Sequence, residues 1–181
     1  MNLRGGGAGA RKGATMPAMS APRLVPFTPR LAAAHQQGAL AEALGIDRLP
    51  ADWPTFPEGV APDCAAEPPP DGAHWGPWLY LRADGGALLG NGGFTGAPQQ
   101  GVVELGYEIA PEHRGQGHAQ AAVRAMLALA WAQAEVCSVL AHTLAEHNPS
   151  TGVLSACGFA FDGEQPNDEL GCVWRWRLDR P

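Results

Sequence analysis

The sequence predicts a single mixed α/β domain, and three observations carry that reading. Two apolar runs, Trp78–Arg82 and Ala87–Thr95, flank Asp84-Gly85-Gly86, a strong hairpin signal, and a third run, Gly101–Ile109, extends them into a meander. Ala119, Ala122, Val123, Met126, Leu127, Ala130 and Ala134 then recur at steps of three and four, the stripe of an amphipathic helix. A β-branched run, Val136–Thr143, follows at once, so strand, helix and strand succeed each other as in a right-handed crossover. A chain of 181 residues, 45 % of them apolar, holds one domain with a sizeable core.

The remaining elements follow in order. Residues 1–22 are rich in Gly, Ala and basic side chains without periodicity, and read as a disordered tail ahead of a domain spanning residues 23–181. Arg23–Thr28 reads as a first strand. Thr28-Pro29 then starts a helix, with a hydroxyl cap and a proline at the first helical position, running to about Gln37. A second helix, Gly38–Leu44, stops at Gly45. Pro50–Pro77 is dense in proline and glycine, with Trp53, Phe56 and Trp75 among them and Trp78 directly after, and long loops of this kind are commonly functional. Ser150–Cys157 is a short helix ended by Gly158. Phe159–Asp162 and Cys172–Leu178 close the chain as strands. In the last, Cys172, Trp174, Trp176 and Leu178 alternate with Val173, Arg175 and Arg177.

Composition narrows the function. A net charge of −6 argues against nucleic acid and mildly favours a cationic partner. No apolar run is long enough to span a bilayer, so no membrane partner is expected. Cys64, Cys137, Cys157 and Cys172 form no CxxC pair and read as free thiols in a reducing cytoplasm. His113/His118 and His142/His147 are each spaced by five rather than by the four of a helical metal pair, so no metal is expected.

The chemistry concentrates at Arg114-Gly115-Gln116-Gly117-His118-Ala119, between a strand and a helix. The first amides of a helix lack internal partners, the dipole adds positive potential, and two glycines admit close backbone approach. Such a turn suits a phosphate or pyrophosphate. It is no Walker A loop, and only Gly-x-Gly of a dinucleotide fingerprint is present.

The stretch GYEIAPEHRGQGHAQAA, Gly106–Ala122, resembles motif A of the GNAT superfamily of N-acetyltransferases, with Arg114, Gly117 and Ala119 at its fixed positions. HNPSTGVLSACGF, His147–Phe159, resembles the second signature of that family. LPADWP, Leu49–Pro54, and VWRWRL, Val173–Leu178, resemble members near the ribosomal-protein-alanine N-acetyltransferases. The resemblance implies a GNAT fold: a mixed sheet flanked by helices, with a V-shaped splay between two parallel strands. It also implies acetyl-CoA as co-substrate and a small-molecule primary amine or a peptide N-terminus as acceptor. Amides from Arg114 to Ala119, including those of Gly115, Gln116, Gly117 and His118, would wrap the CoA pyrophosphate. Tyr107 and Ile109 would pair with the pantetheine arm, and the Ile109 amide would polarise the thioester carbonyl. Asn148 and Ser150 would reach the pantetheine or the adenine-side phosphate.

A protonated amine must lose a proton before it attacks. Glu104 and Glu108 share one face of their strand by alternation, and Glu104 ranks first as base with Glu108 second. Trp53 and Phe56 are candidates for the acceptor pocket, because aromatic faces suit cations. The tyrosine acid of several relatives is missing from the short helix after Asn148, which leaves a catalytically weak CoA-binding module as the alternative. Strand edges and the tryptophan-rich last strand suggest a homodimer.

Overall fold

The computed structural model describes residues 20–70 and 73–181. The expected tail therefore lies outside the described residues over positions 1–19, as do Asp71 and Gly72 of the long loop. Strand β1 (Arg23–Pro26) leads into α1 (Pro29–Gln36), where the Thr28 hydroxyl accepts the Leu31 amide at 3.4 Å and Pro29 occupies the first turn. Helix α2 is shorter than expected, Leu40–Leu44, because Gly38 terminates α1 instead of opening α2. Its φ is +70° and its amide bonds the His35 carbonyl. Two 3-10 turns, Pro57–Val60 and Pro62–Cys64, order part of the long loop.

The meander is β2 (Pro77–Leu81), β3 (Leu88–Phe94) and β4 (Val102–Ile109). Then come α3 (His118–Trp131), β5 (Ser138–Leu144), α4 (Pro149–Ala156), β6 (Ala160–Asn167) and β7 (Gly171–Asp179). Strand β6 outruns its expected end at Asp162. Gly163 sits in a register shift at φ +104°, and Pro166 lies on an edge strand that tolerates a missing N–H.

The sheet has the order β1-β2-β3-β4-β5-β7-β6 and is antiparallel except between β4 and β5. The parallel pair holds only over Val102–Glu104 against Ser138–Leu140. Beyond it β4 stays paired with β3 as far as Ile109, and β5 with β7 as far as Leu144, so the sheet opens between them. This is the splay that the resemblance implies. Tryptophan-rich β7 lies inside the sheet, so the exposed edges are β1 and β6 rather than the last strand.

Side-chain alternation divides the core between the two faces. Phe27, Leu31, Leu40, Trp53, Val60, Leu79, Leu81 and Leu88 pack beneath α1, α2 and the long loop. Tyr80, Val103, Leu105 and Ile109 meet the α3 stripe of Ala122, Val123, Met126, Leu127 and Ala130 on the opposite face. Met126 and Val123 are fully buried, each contributing roughly 1.5–3 kcal/mol of transfer free energy. The four cysteines are free thiols. Among the described residues no helix is long and apolar enough to cross a membrane.

Candidate functional site

After β4 the chain makes a 3-10 turn, Pro111–His113, and reaches α3 through Arg114–Gly117. Gly115 and Gly117 sit at φ +72° and +83°, a region that favours glycine. The side chains fold away from the turn. Arg114 Nε donates to the Ile109 carbonyl at 2.8 Å, and its terminal nitrogen donates to Thr55 Oγ1 at 3.0 Å. Gln116 Nε2 donates to the Glu112 carbonyl at 3.2 Å. Gly117 caps α3 with no side-chain bond. Among the described residues the amides of Gly115, Gln116 and Gly117 have no partner. What the turn presents is backbone N–H at a helix start, a geometry suited to an anion. His118 begins the helix, its pKa lowered chiefly by burial and then by the His113 and Arg82 charges. Ala119 follows, half-buried against the core.

The free edge of β4 leads to this turn. The Ala110 amide bonds the Leu89 carbonyl and the Glu104 carbonyl accepts the Thr95 amide, so these residues turn their backbone toward β3. By alternation Tyr107 and Ile109 turn their N–H groups into the opening beside β5. The Tyr107 phenol donates to the Ser150 carbonyl at 3.4 Å, tying β4 to α4, and burial pushes its pKa up to about 12. Asn148 and Ser150 stand at the start of α4. Asn148 Oδ1 is taken up by the cap, accepting the Ser150 amide at 2.9 Å and the Thr151 amide at 3.2 Å.

The two carboxylates lie on one face of β4, as expected, with Gly106 between them. Their surroundings differ. Glu104 is half-exposed and meets His142 Nδ1 at 2.9 Å, while His142 Nε2 lies 3.0 Å from Gln165 Oε1. Glu108 is 6 % exposed. Its Oε2 accepts the Thr55 amide at 3.0 Å, whereas Oε1 is buried with no hydrogen-bond partner. Burial raises its pKa, outweighing the opposing effects of Thr55, the Phe56 amide and the Arg114 charge.

Glu108 borders a cavity of about 490 Å³. Phe56, Glu58 and Cys64 line it from the loop, and Asn91, Gly93, Gly106 and Glu108 line it from the sheet. A Cβ added to Gly106 would meet nothing within 4 Å, so the cavity extends over bare backbone. Phe56 lines this space and Trp53 does not. Trp53 is 8 % exposed in the core, and its indole N–H donates to Asn91 Oδ1 at 2.7 Å, so it braces a lining residue from behind. Asn91 and Gly106, which line the cavity, and Thr55 and Gln165, which bond to Glu108 and His142, are members of the candidate site that the sequence reading missed. Only Gly106, a bare position between two alternating carboxylates, left a signal that could have been read. Among the described residues no group of three or more His, Cys, Asp or Glu side chains could hold a metal ion.

A family model described as an acetyltransferase (GNAT) domain matches residues 26–160. The spermidine N-acetyltransferase from Vibrio cholerae in complex with CoA and spermine superposes with a TM-score of 0.51 at 20 % identity, over 57 % of this chain and 64 % of that one. The ribosomal-protein-S5-alanine acetyltransferase from Vibrio fischeri gives a TM-score of 0.52 at 15 % identity, over 57 % of this chain and 61 % of that one. A chimera of the Vibrio cholerae enzyme gives 0.51 at 20 % identity, over 57 % and 66 %. The chain thus spans less than two thirds of the length of these structures. At these identities the likeness is one of fold. No curated protein matches the chain.

Proposed function

The chain belongs to the GNAT acetyltransferase family, and from that premise we propose that it is an acetyl-CoA-dependent N-acetyltransferase acting on a primary amine of a small molecule or a peptide N-terminus. The observation that carries this reading is the opening between β4 and β5, which runs along free Tyr107 and Ile109 amides into a turn that presents only backbone N–H. The acetyltransferase domain in this reading spans residues 23–181. The Vibrio cholerae neighbour, solved with CoA and spermine, supports both kinds of ligand.

Acetyl-CoA supplies the activated acetyl group. Amides from Arg114 to Ala119 hold its pyrophosphate, and the Tyr107 and Ile109 backbone aligns the pantetheine arm. The Ile109 N–H stands where oxyanion charge develops. Asn148 and Ser150 border the same opening in this reading, where Asn148 Nδ2 and the Ser150 hydroxyl remain to bond a ligand. The acceptor amine approaches over Gly106 and passes its proton to Glu104, which His142 orients at 2.9 Å. Exposed Leu144, Phe161 and Leu170 offer a surface for a homodimer, which sedimentation tests.

Calorimetric titration with acetyl-CoA, beside NADH as control, tests the cofactor assignment. Micromolar binding of acetyl-CoA alone is expected, and no binding would remove the reading's foundation. Glu104→Gln should cut amine turnover by roughly 10²–10⁴-fold, the usual worth of a positioned general base. Unchanged turnover would exclude Glu104.

A further inference from the structure

The cavity beside β4 has an electrostatic character that amine acetylation alone does not require. Glu108 lies at its floor, 6 % exposed, with Oε1 buried and unpartnered. Glu58 adds a second carboxylate at the exposed rim. Among the described residues no Arg, Lys or His lines the cavity. A buried carboxylate oxygen without a donor is costly, and a cationic donor is the group that offsets most of that cost. A neutral donor offsets less of it, and an anion offsets none.

The reacting amine cannot be that cation. It must be neutral when it attacks, so a charge held permanently against Glu108 belongs to another group of the acceptor. Glu104 and Glu108 lie on the same face of β4 with bare Gly106 between them, about 13 Å apart at the strand rise of 3.3 Å per residue. Glu108 lines this cavity and Glu104 lines the adjoining pocket, with Thr95 bordering both and bare Gly106 between the carboxylates on the strand.

We propose that Glu108 anchors a second, permanently protonated nitrogen of the acceptor, so that the enzyme selects flexible diamines or polyamines over monoamines and over peptide N-termini without a nearby cation. This rests on the acetyltransferase reading for the reaction, though not for the binding.

The test compares 1,4-diaminobutane with butylamine, on wild type and Glu108→Gln, following thiol release from acetyl-CoA. A parallel calorimetric titration with 1,4-diaminobutane omits acetyl-CoA, and an acetyl-CoA titration checks that the variant is folded. Wild type should prefer the diamine at least tenfold in kcat/KM. Glu108→Gln should cut that preference by roughly 10–100-fold, the worth of a hydrogen bond to a charged group, and weaken diamine binding to match. An equal fall for both amines would make Glu108 a base or a structural strut and overturn the proposal. Equal use of both amines by wild type would also overturn it. If neither amine is acetylated, the titration alone decides. Diamine binding lost in Glu108→Gln upholds the anchor while the acetyltransferase reading fails, and equal binding by both proteins refutes the anchor.

Discussion

Gly106→Val should make the protein more stable and less active, and the two opposite signs make the test sharp. Gly106 lies inside β4, is exposed, and has no atom within 4 Å of a built Cβ. A valine there meets no clash, and replacing strand glycine by a β-branched residue gains about 0.5–1 kcal/mol. For a chain of this size that is roughly 1–4 °C in Tm. The same isopropyl group stands in the gap between Glu104 and Glu108, across the acceptor's path. Displacing the amine by about 1 Å costs on the order of 10²-fold in rate. Acetyl-CoA affinity should hold, because the Tyr107 and Ile109 amides leave β4 on the edge facing β5. Differential scanning fluorimetry, acetyl-CoA titration and amine-dependent thiol release measure the three quantities. A lower Tm would mean the space over Gly106 is not open. Full kcat/KM in a stabilised variant would mean the acceptor does not pass there.

Gly117→Trp should abolish measurable acetyl-CoA binding, because it puts a bulky side chain beside the turn's amides and strains a residue at φ +83°, and undiminished affinity would sink the pyrophosphate assignment. Trp53→Phe leaves Asn91 Oδ1 buried without its donor, at a cost of about 1–3 kcal/mol or roughly 2–12 °C in Tm. Adding Asn91→Leu should recover part of that loss, and strict additivity of the two changes would deny the bond. The raised Glu108 pKa means the folded chain holds this proton more tightly than the unfolded one. The contribution of Glu108 to stability therefore falls as pH rises from the ordinary carboxyl value through the raised one, then levels off. Unfolding free energies of wild type and Glu108→Gln should accordingly diverge in favour of the variant between acid and neutral pH, and a gap that is constant or of reverse sign would refute the desolvated carboxylate.

Local signals carried most of the fold. The Thr28 cap, the α3 stripe and the hairpin glycines each act within a few residues, and each stands in the structure where its chemistry required. Boundaries went astray where one residue had two uses. Gly38 looked like the start of α2 and serves to end α1. The strand expected to end at Asp162 continues through Gly163 and Pro166 as an irregular edge strand. In the candidate site, the glycine turn was legible because its elements are contiguous. The pairing of Glu104 with His142 was not, since it joins two strands through the one parallel contact in the sheet. Nor was the burial of Glu108, which depends on Thr55 in a loop without periodicity. Trp53 and Phe56 are near neighbours in that loop, yet one points into the core and the other lines the cavity, a distinction that composition does not encode.

Arg114 touches both halves of the site. Its guanidinium holds the last carbonyl of β4 and the hydroxyl of Thr55, and the Thr55 amide in turn holds Glu108. A ligand that stiffens the turn around Arg114 therefore also steadies the loop over the cavity. Linkage is reciprocal, so an occupant of the cavity tightens the turn's ligand by the same factor. In the proposed function, two ligands that share no atom would thus be coupled through Arg114 and Thr55, each strengthening the other whichever arrives first.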